Sequence, residues 1–105
     1  MVRDYLRTVR SAIDPYSRFW RWDRFDSTLT SQQKTFEKRY RKSETPRQRI
    51  YKFPNGVEVS LINDGYGREA GLYEIWATDK PEVEGWLTEK QVMLRLHQVK
   101  DRKGK

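Results

Sequence analysis

Three arginines and five aromatic rings share the eleven residues Tyr16-Ser17-Arg18-Phe19-Trp20-Arg21-Trp22-Asp23-Arg24-Phe25-Asp26. Side chains of these types can stack on bases through the rings while the guanidinium forks neutralise phosphates. They can equally anchor a protein interface, where Trp, Tyr and Arg dominate the binding energy. They can also simply pack, supplying apolar area to a chain that is short of aliphatic residues. The spacing leaves these three open. Trp20-Arg21-Trp22 alternates as a strand does, whereas Phe19/Trp22 and Trp22/Phe25 are spaced as on a helix, so the segment is expected to be irregular or helical.

Cations extend this chemistry to either side. Arg3, Arg7 and Arg10 recur at i, i+4, i+7, a stripe that either faces solvent or faces phosphates. Lys34, Lys38, Arg39, Arg41 and Lys42 crowd a second candidate helix. The expected partner-binding set is Arg3, Arg7, Arg10, Arg18, Trp20, Arg21, Trp22, Arg24, Lys34, Lys38, Arg41 and Lys42. Residues 1–52 hold 14 Lys/Arg against 6 Asp/Glu, and residues 53–105 hold 8 against 9, so the net charge of +7 belongs to the first half. Such asymmetry indicates a polyanionic partner; a basic surface kept for solubility is the plainer account.

Other chemistries find little support. With no cysteine, disulfides, thiolate metal sites and cysteine nucleophiles are excluded. The single histidine, His97, is expected at the edge of a helix and not as a base or ligand. Glu58, Glu69 and Glu74 lack the spacing of an acid–base or ligand cluster, so no metal, no cofactor and no enzymatic activity are expected. The glycines of Asn63-Asp64-Gly65-Tyr66-Gly67-Arg68-Glu69-Ala70-Gly71 do not form a phosphate cradle, because a strand-like run follows them where a P-loop opens a helix. No apolar run approaches ~18 residues and Met1-Val2-Arg3-Asp4-Tyr5 starts no signal peptide. A soluble, cytoplasmic protein is expected, with no membrane partner.

The elements that would position these residues begin with an amphipathic helix over 2–14 (Val2, Tyr5, Leu6, Val9, Ala12, Ile13) that stops at Asp14-Pro15. Thr30 with Gln33 is a capping-box pattern for a helix running to about Ser43 or Glu44. Phe53-Pro54-Asn55-Gly56-Val57 is turn chemistry between two alternating runs, predicting strands at about 48–53 and 57–63. Leu72 to Thr78 predicts a third strand. Asp79-Lys80-Pro81-Glu82 then breaks the chain. Thr88 with Gln91 opens a last helix whose Val92, Leu96 and Val99 form an apolar stripe, and Asp101 to Lys105 is expected to fray.

Residues 52–99 resemble a pattern found in short bacteriophage-encoded proteins of unassigned function. The matching residues are Phe53-Pro54-Asn55-Gly56, Val59-Ser60-Leu61, Gly65-Tyr66-Gly67, Gly71-Leu72-Tyr73-Glu74 and Gly85-Trp86-Leu87-Thr88-Glu89. The chain departs from the pattern at Val57-Glu58, where a Gly-aromatic-Gly start is usual, and between Asp79 and Glu84, where another strand is usual. The resemblance implies a phage or prophage origin and a small antiparallel sheet with a packed helix; it implies no activity.

The expected fold is therefore a single α+β domain: a basic, aromatic helical region over 1–47, a three-stranded antiparallel meander, and a C-terminal helix on one sheet face. The expected function is that of an accessory binding protein acting on nucleic acid or a host nucleoprotein complex, in the manner of an anti-defence or anti-CRISPR-like inhibitor. The alternative is a modulator of a host enzyme that touches protein only.

Overall fold

A computed structural model of the chain describes residues 16–103, with side chains from residue 22 onward. The helix expected over 2–14, with Arg3, Arg7 and Arg10, lies outside the described residues. In chain order the elements are α1 (Tyr16–Ser27), α2 (Ser31–Tyr40), β1 (Arg41–Glu44), β2 (Gln48–Lys52), β3 (Glu58–Ile62), a single 3₁₀ turn (Arg68–Ala70), β4 (Tyr73–Ala77), β5 (Glu84–Leu87) and α3 (Glu89–Lys100). All strand pairs are antiparallel, and the sheet order β1-β2-β3-β4-β5 follows the chain.

The sheet thus has five strands, which corrects the expected three-stranded meander; the α+β class stands. Both extra strands are edges. β1 reads Arg-Lys-Ser-Glu and has no apolar alternation, so nothing in its side chains marks it as a strand. It forms because α2 ends at Tyr40: Arg41 turns to extended backbone (φ −70°, ψ 121°) while its N–H still donates to the Glu37 carbonyl. β5 carries a glycine, an exposed Trp86 and a register irregularity opposite β4. Edge strands need ladder bonds on one side only, so short polar sequences suffice.

Local chemistry sets the other boundaries. Thr30 and Thr88 each accept a hydrogen bond from the N–H three residues on, and Gln33 and Gln91 accept from the threonine N–H in return, closing two capping boxes. In the β2–β3 hairpin the Gly56 N–H donates to the Phe53 carbonyl at 2.9 Å. Gly56 has φ +87°, which glycine adopts without steric cost. Asn55 Oδ1 accepts from the Val57 N–H, while Nδ2 donates to the carbonyls of Val99 and Arg102 at 2.8 and 3.0 Å. The hairpin turn thereby adds side-chain hydrogen bonds to carbonyls at and just beyond the end of α3.

Period-2 alternation gives the sheet a dry and a wet face. The dry face presents Arg49 and Tyr51 from β2, Val59 and Leu61 from β3, Tyr73, Ile75 and Ala77 from β4, and Leu87 from β5. All three helices cover it. Trp22 and Phe25 of α1 meet Tyr73, with Trp22 stacked at 6.3 Å and Phe25 edge-on at 5.3 Å. Phe36 of α2 touches Phe53 at 5.9 Å and the His97 ring of α3 at 4.2 Å. α3 contributes Val92, Met93, Leu96 and Val99. The wet face (Gln48, Ile50, Lys52, Glu58, Ser60, Ile62, Glu74, Trp76) is half-buried or exposed, and no described element covers it. No described helix is long and apolar enough to cross a membrane.

Leu96 is fully buried among these elements. Leu96→Ala is expected to cost about 2–5 kcal/mol, the range for truncating a large buried aliphatic. Chemical denaturation of the variant beside wild type measures it, and an unchanged midpoint would show that α3 does not pack as described.

Candidate functional site

Strongly perturbed ionisable groups are the first place to seek chemistry, and they gather around Arg49. This residue occupies an inward position of β2, where alternation calls for an apolar side chain, and it is 1% exposed. Its Nη1 and Nη2 donate to the two carboxylate oxygens of Asp26, each at 2.8 Å, and Nε donates to Glu44 at 2.8 Å. Nη1 also donates to Glu37 at 3.3 Å, and the guanidinium lies 4.3 Å from the Trp22 ring centre. Glu37, 3% exposed, accepts from Tyr51 Oη at 2.7 and 2.8 Å and from Arg41 at 3.4 Å.

Burial pushes the Glu37 carboxyl above the ordinary carboxylate range, against the pull of Tyr51, Arg49 and Arg41. Burial and the adjacent Glu37 push the Tyr51 hydroxyl well up. Burial is the largest single influence on Arg49 and disfavours its charge, but the hydrogen bond with Asp26 and the nearby Tyr51, Asp26 and Glu37 together outweigh it and hold the guanidinium protonated. Nothing in this arrangement meets solvent except the outer sides of Asp26, Glu44 and Arg41. A closed network of this kind offers no room to a substrate; it is a junction tying α1, α2, β1 and β2 together. Among the described residues, no group of His, Asp and Glu side chains could hold a metal ion.

The expected binding residues fall into four sets. Trp22 is a core residue, 5% exposed, with its indole N–H donating to the Thr45 carbonyl at 2.7 Å and its ring held by Tyr73 and Arg49. This corrects its placement on a stacking surface: the ring faces that would meet a base are already covered. Arg18, Trp20 and Arg21 lie on α1, with side chains outside the described ones. Arg41 is drawn inward between Glu37 and Glu44, so it belongs to the junction. Arg24 is exposed but partly engaged, donating to the Gly71 carbonyl at 3.3 Å and lying 3.9 Å from Glu89.

Lys34, Lys38 and Lys42 remain, exposed along one stretch that runs from α2 into β1. Arg39 joins them, also exposed and 5.7 Å from the Tyr40 ring. It lies outside the expected set although it stands in the same basic run; only the placement of α2 shows it to be free. These four cations make no ion pair with any described carboxylate. By contrast Arg49, Arg95 and Arg102 are all neutralised by Asp or Glu partners. The candidate site is therefore the solvent side of α2 and the start of β1.

Comparison with family models, curated proteins and solved structures finds no match to the chain.

The raised Glu37 value has a definite sign in stability. The folded chain keeps this proton to higher pH than the unfolded chain, whose carboxyl titrates near its ordinary 4.5. The contribution of Glu37 is therefore full below that value and is lost as pH rises through the raised one. Asp79 and Glu84, lowered by Arg102 and Arg95, act oppositely and lose their contributions as pH falls. Comparing wild type with Glu37→Gln isolates the first effect. Urea melts are expected to show the advantage of wild type growing as pH is lowered from about 7.5 to about 5. An advantage that shrinks instead would mean that Arg49 and Tyr51 hold Glu37 ionised.

Proposed function

We propose that this chain is a small accessory binding protein of phage origin that engages nucleic acid, free or within a host nucleoprotein complex, through the basic side of α2. Acting in the host cytoplasm as an inhibitor of a defence complex, in the anti-CRISPR manner, is the biological setting we propose for it. The observation that carries the reading is the division of the cations. Arg49, Arg41, Arg95 and Arg102 are spent on internal carboxylates, whereas Lys34, Lys38, Arg39 and Lys42 face solvent together without one. Unopposed clustered cations repel one another and cost stability; a phosphate backbone offsets that cost by releasing its condensed counterions.

Lys34 and Lys38 stand one helical turn apart, and Lys42 continues the row into β1. Such a row can follow a strand of phosphates without reading bases. The aromatic part of the expected interface does not support base stacking at Trp22, so the proposal rests on charge.

Anisotropy of a labelled single-stranded oligonucleotide, titrated across a range of salt, tests this. Four phosphate contacts at about 0.7 each predict a log–log salt slope of about −2.8. Lys34→Glu with Lys38→Glu is expected to weaken binding at low salt and to flatten the slope by about 1.4, two contacts' worth. Unaltered affinity and slope in that double variant would remove α2 as the site.

A further inference from the structure

The wet face of the sheet carries a second surface of different chemistry. Tyr66 is 86% exposed and Trp86 63%, and Trp76 and Val83 are exposed as well. Trp86 sits where the register between β4 and β5 shifts, and its ring is turned toward the loop that follows β3. There it rests against Gly67: a Cβ built at Gly67 would stand 3.3 Å from Trp86 Cε3 and closer still to Leu72. The absence of a side chain at residue 67 is what lets the indole lie beside the Tyr66 loop. Glu74 fixes that loop from beneath, its Oε2 accepting the Tyr66 N–H at 2.9 Å. The two rings are thus held out into solvent by a supported loop and a paired strand.

Trp86 also has φ +60°, the only non-glycine residue with positive φ among the described residues. A bulky side chain in this region is a rare and strained arrangement, and such residues cluster at binding and switch sites. Large exposed aromatics on an ordered framework are the side chains that anchor protein partners.

Charge identifies the partner. Residues 58–86, which supply these rings, hold seven Asp/Glu against only Arg68 and Lys80, in a chain whose net charge is +7. Asp64, Asp79 and Glu84 are paired with Arg47, Arg102 and Arg95. Glu58, Glu69 and Glu82 have no described ion pair and are half-buried or exposed. With no net positive charge this stretch gives phosphates little to bind, whereas a guanidinium or ammonium group would meet carboxylates and aromatic faces, which attract cations through the ring quadrupole.

We propose that Tyr66, Trp86 and Trp76, with Glu69 in the connection before β4 and Glu82 in the connection after it, dock an extended arginine- or lysine-bearing segment of a partner protein. This goes beyond the polyanion reading and does not rest on it, since the two surfaces are built from different residues on different elements.

The test uses the full chain and a fluorescein-labelled oligo-arginine peptide, with an oligo-glutamate peptide and a single-stranded oligonucleotide as controls. Trp86→Gly relieves the positive φ, so its melting temperature is expected to equal or exceed that of wild type, while oligo-arginine binding weakens at least about fivefold. Glu69→Lys with Glu82→Lys is expected to weaken it comparably, and Lys34→Glu with Lys38→Glu to leave it intact. Should Trp86→Gly melt well below wild type, Tyr66→Ser decides, with the same loss expected. Oligo-arginine binding that is absent, or equal in wild type and all sheet-face variants, overturns the proposal. So does oligonucleotide binding lost in Trp86→Gly, which would make this a nucleic-acid face. Sedimentation showing self-association that Trp86→Gly abolishes would assign the face to a second copy and likewise overturn it.

Discussion

A full positive charge lies inside this protein, and the arrangement of its parts follows from keeping it there. Stripping a guanidinium of water costs several kcal/mol unless partners replace the lost hydration. Around Arg49 those partners are the Asp26 carboxylate gripping it as a fork, Glu44 on Nε, Glu37 beneath and the Trp22 ring above. They come from α1, β1, α2 and α1 again. Each is itself exacting: Glu37 needs Tyr51 and Arg41 as well as Arg49. Any arrangement that mislays one helix strands a charge, which makes such near-native alternatives costly. Apolar residues would tolerate a rotated helix; a forked carboxylate does not.

The same junction explains how a chain with only 35% hydrophobic residues sustains a core. Apolar side chains are needed on one sheet face only, since all helices gather there. Aromatic rings do much of the filling: Trp22, Phe25 and Tyr73 at one end, Phe36, Tyr40 and Phe53 at the other. Arg49 lies between β2 and the first of these groups, its guanidinium near both Trp22 and Phe25. The polar network and the ring clusters are therefore one packed layer. Lys34, Lys38, Arg39 and Lys42 stay outside it with no described ion pair, which is how the basic surface of α2 arises.

Much of this was legible in the sequence, and for local reasons. Thr30/Gln33 and Thr88/Gln91 announce helix starts within four residues, Asn55-Gly56 announces a tight turn, and the alternation of β2, β3 and β4 repeats every two residues. What was hidden depends on distant partners. β1 has no pattern of its own and exists because β2 offers its ladder. Arg49 looks like a wet-face residue until Asp26, 23 positions earlier, is seen to reach it. Trp22 looks like a free ring until Tyr73 stacks on it. For the site, the basic run of α2 was plain from residue types, whereas the withdrawal of Arg41 and the freedom of Arg39 depend on where that helix ends. The Gly65-Tyr66-Gly67 and Gly85-Trp86 segments stand far apart in the sequence; their meeting through Gly67 is visible only in three dimensions.

The hairpin turn carries a chemical liability as well as a structural one. In an Asn-Gly sequence the glycine nitrogen can attack the asparagine side-chain carbonyl, expelling ammonia and closing a succinimide that water then opens to aspartate or isoaspartate. Here the fold opposes that attack at both ends. The Gly56 nitrogen is committed to the Phe53 carbonyl, and the Asn55 amide is fixed by the Val57 N–H on one side and the α3 carbonyls on the other. The unfolded chain has no such protection. Once converted, the residue loses the amide donors that closed α3 and sets a carboxylate against a row of carbonyl oxygens. A chain converted at residue 55 would therefore unfold more readily than an intact one, and the accumulation of converted chains with age would record how often the turn has opened.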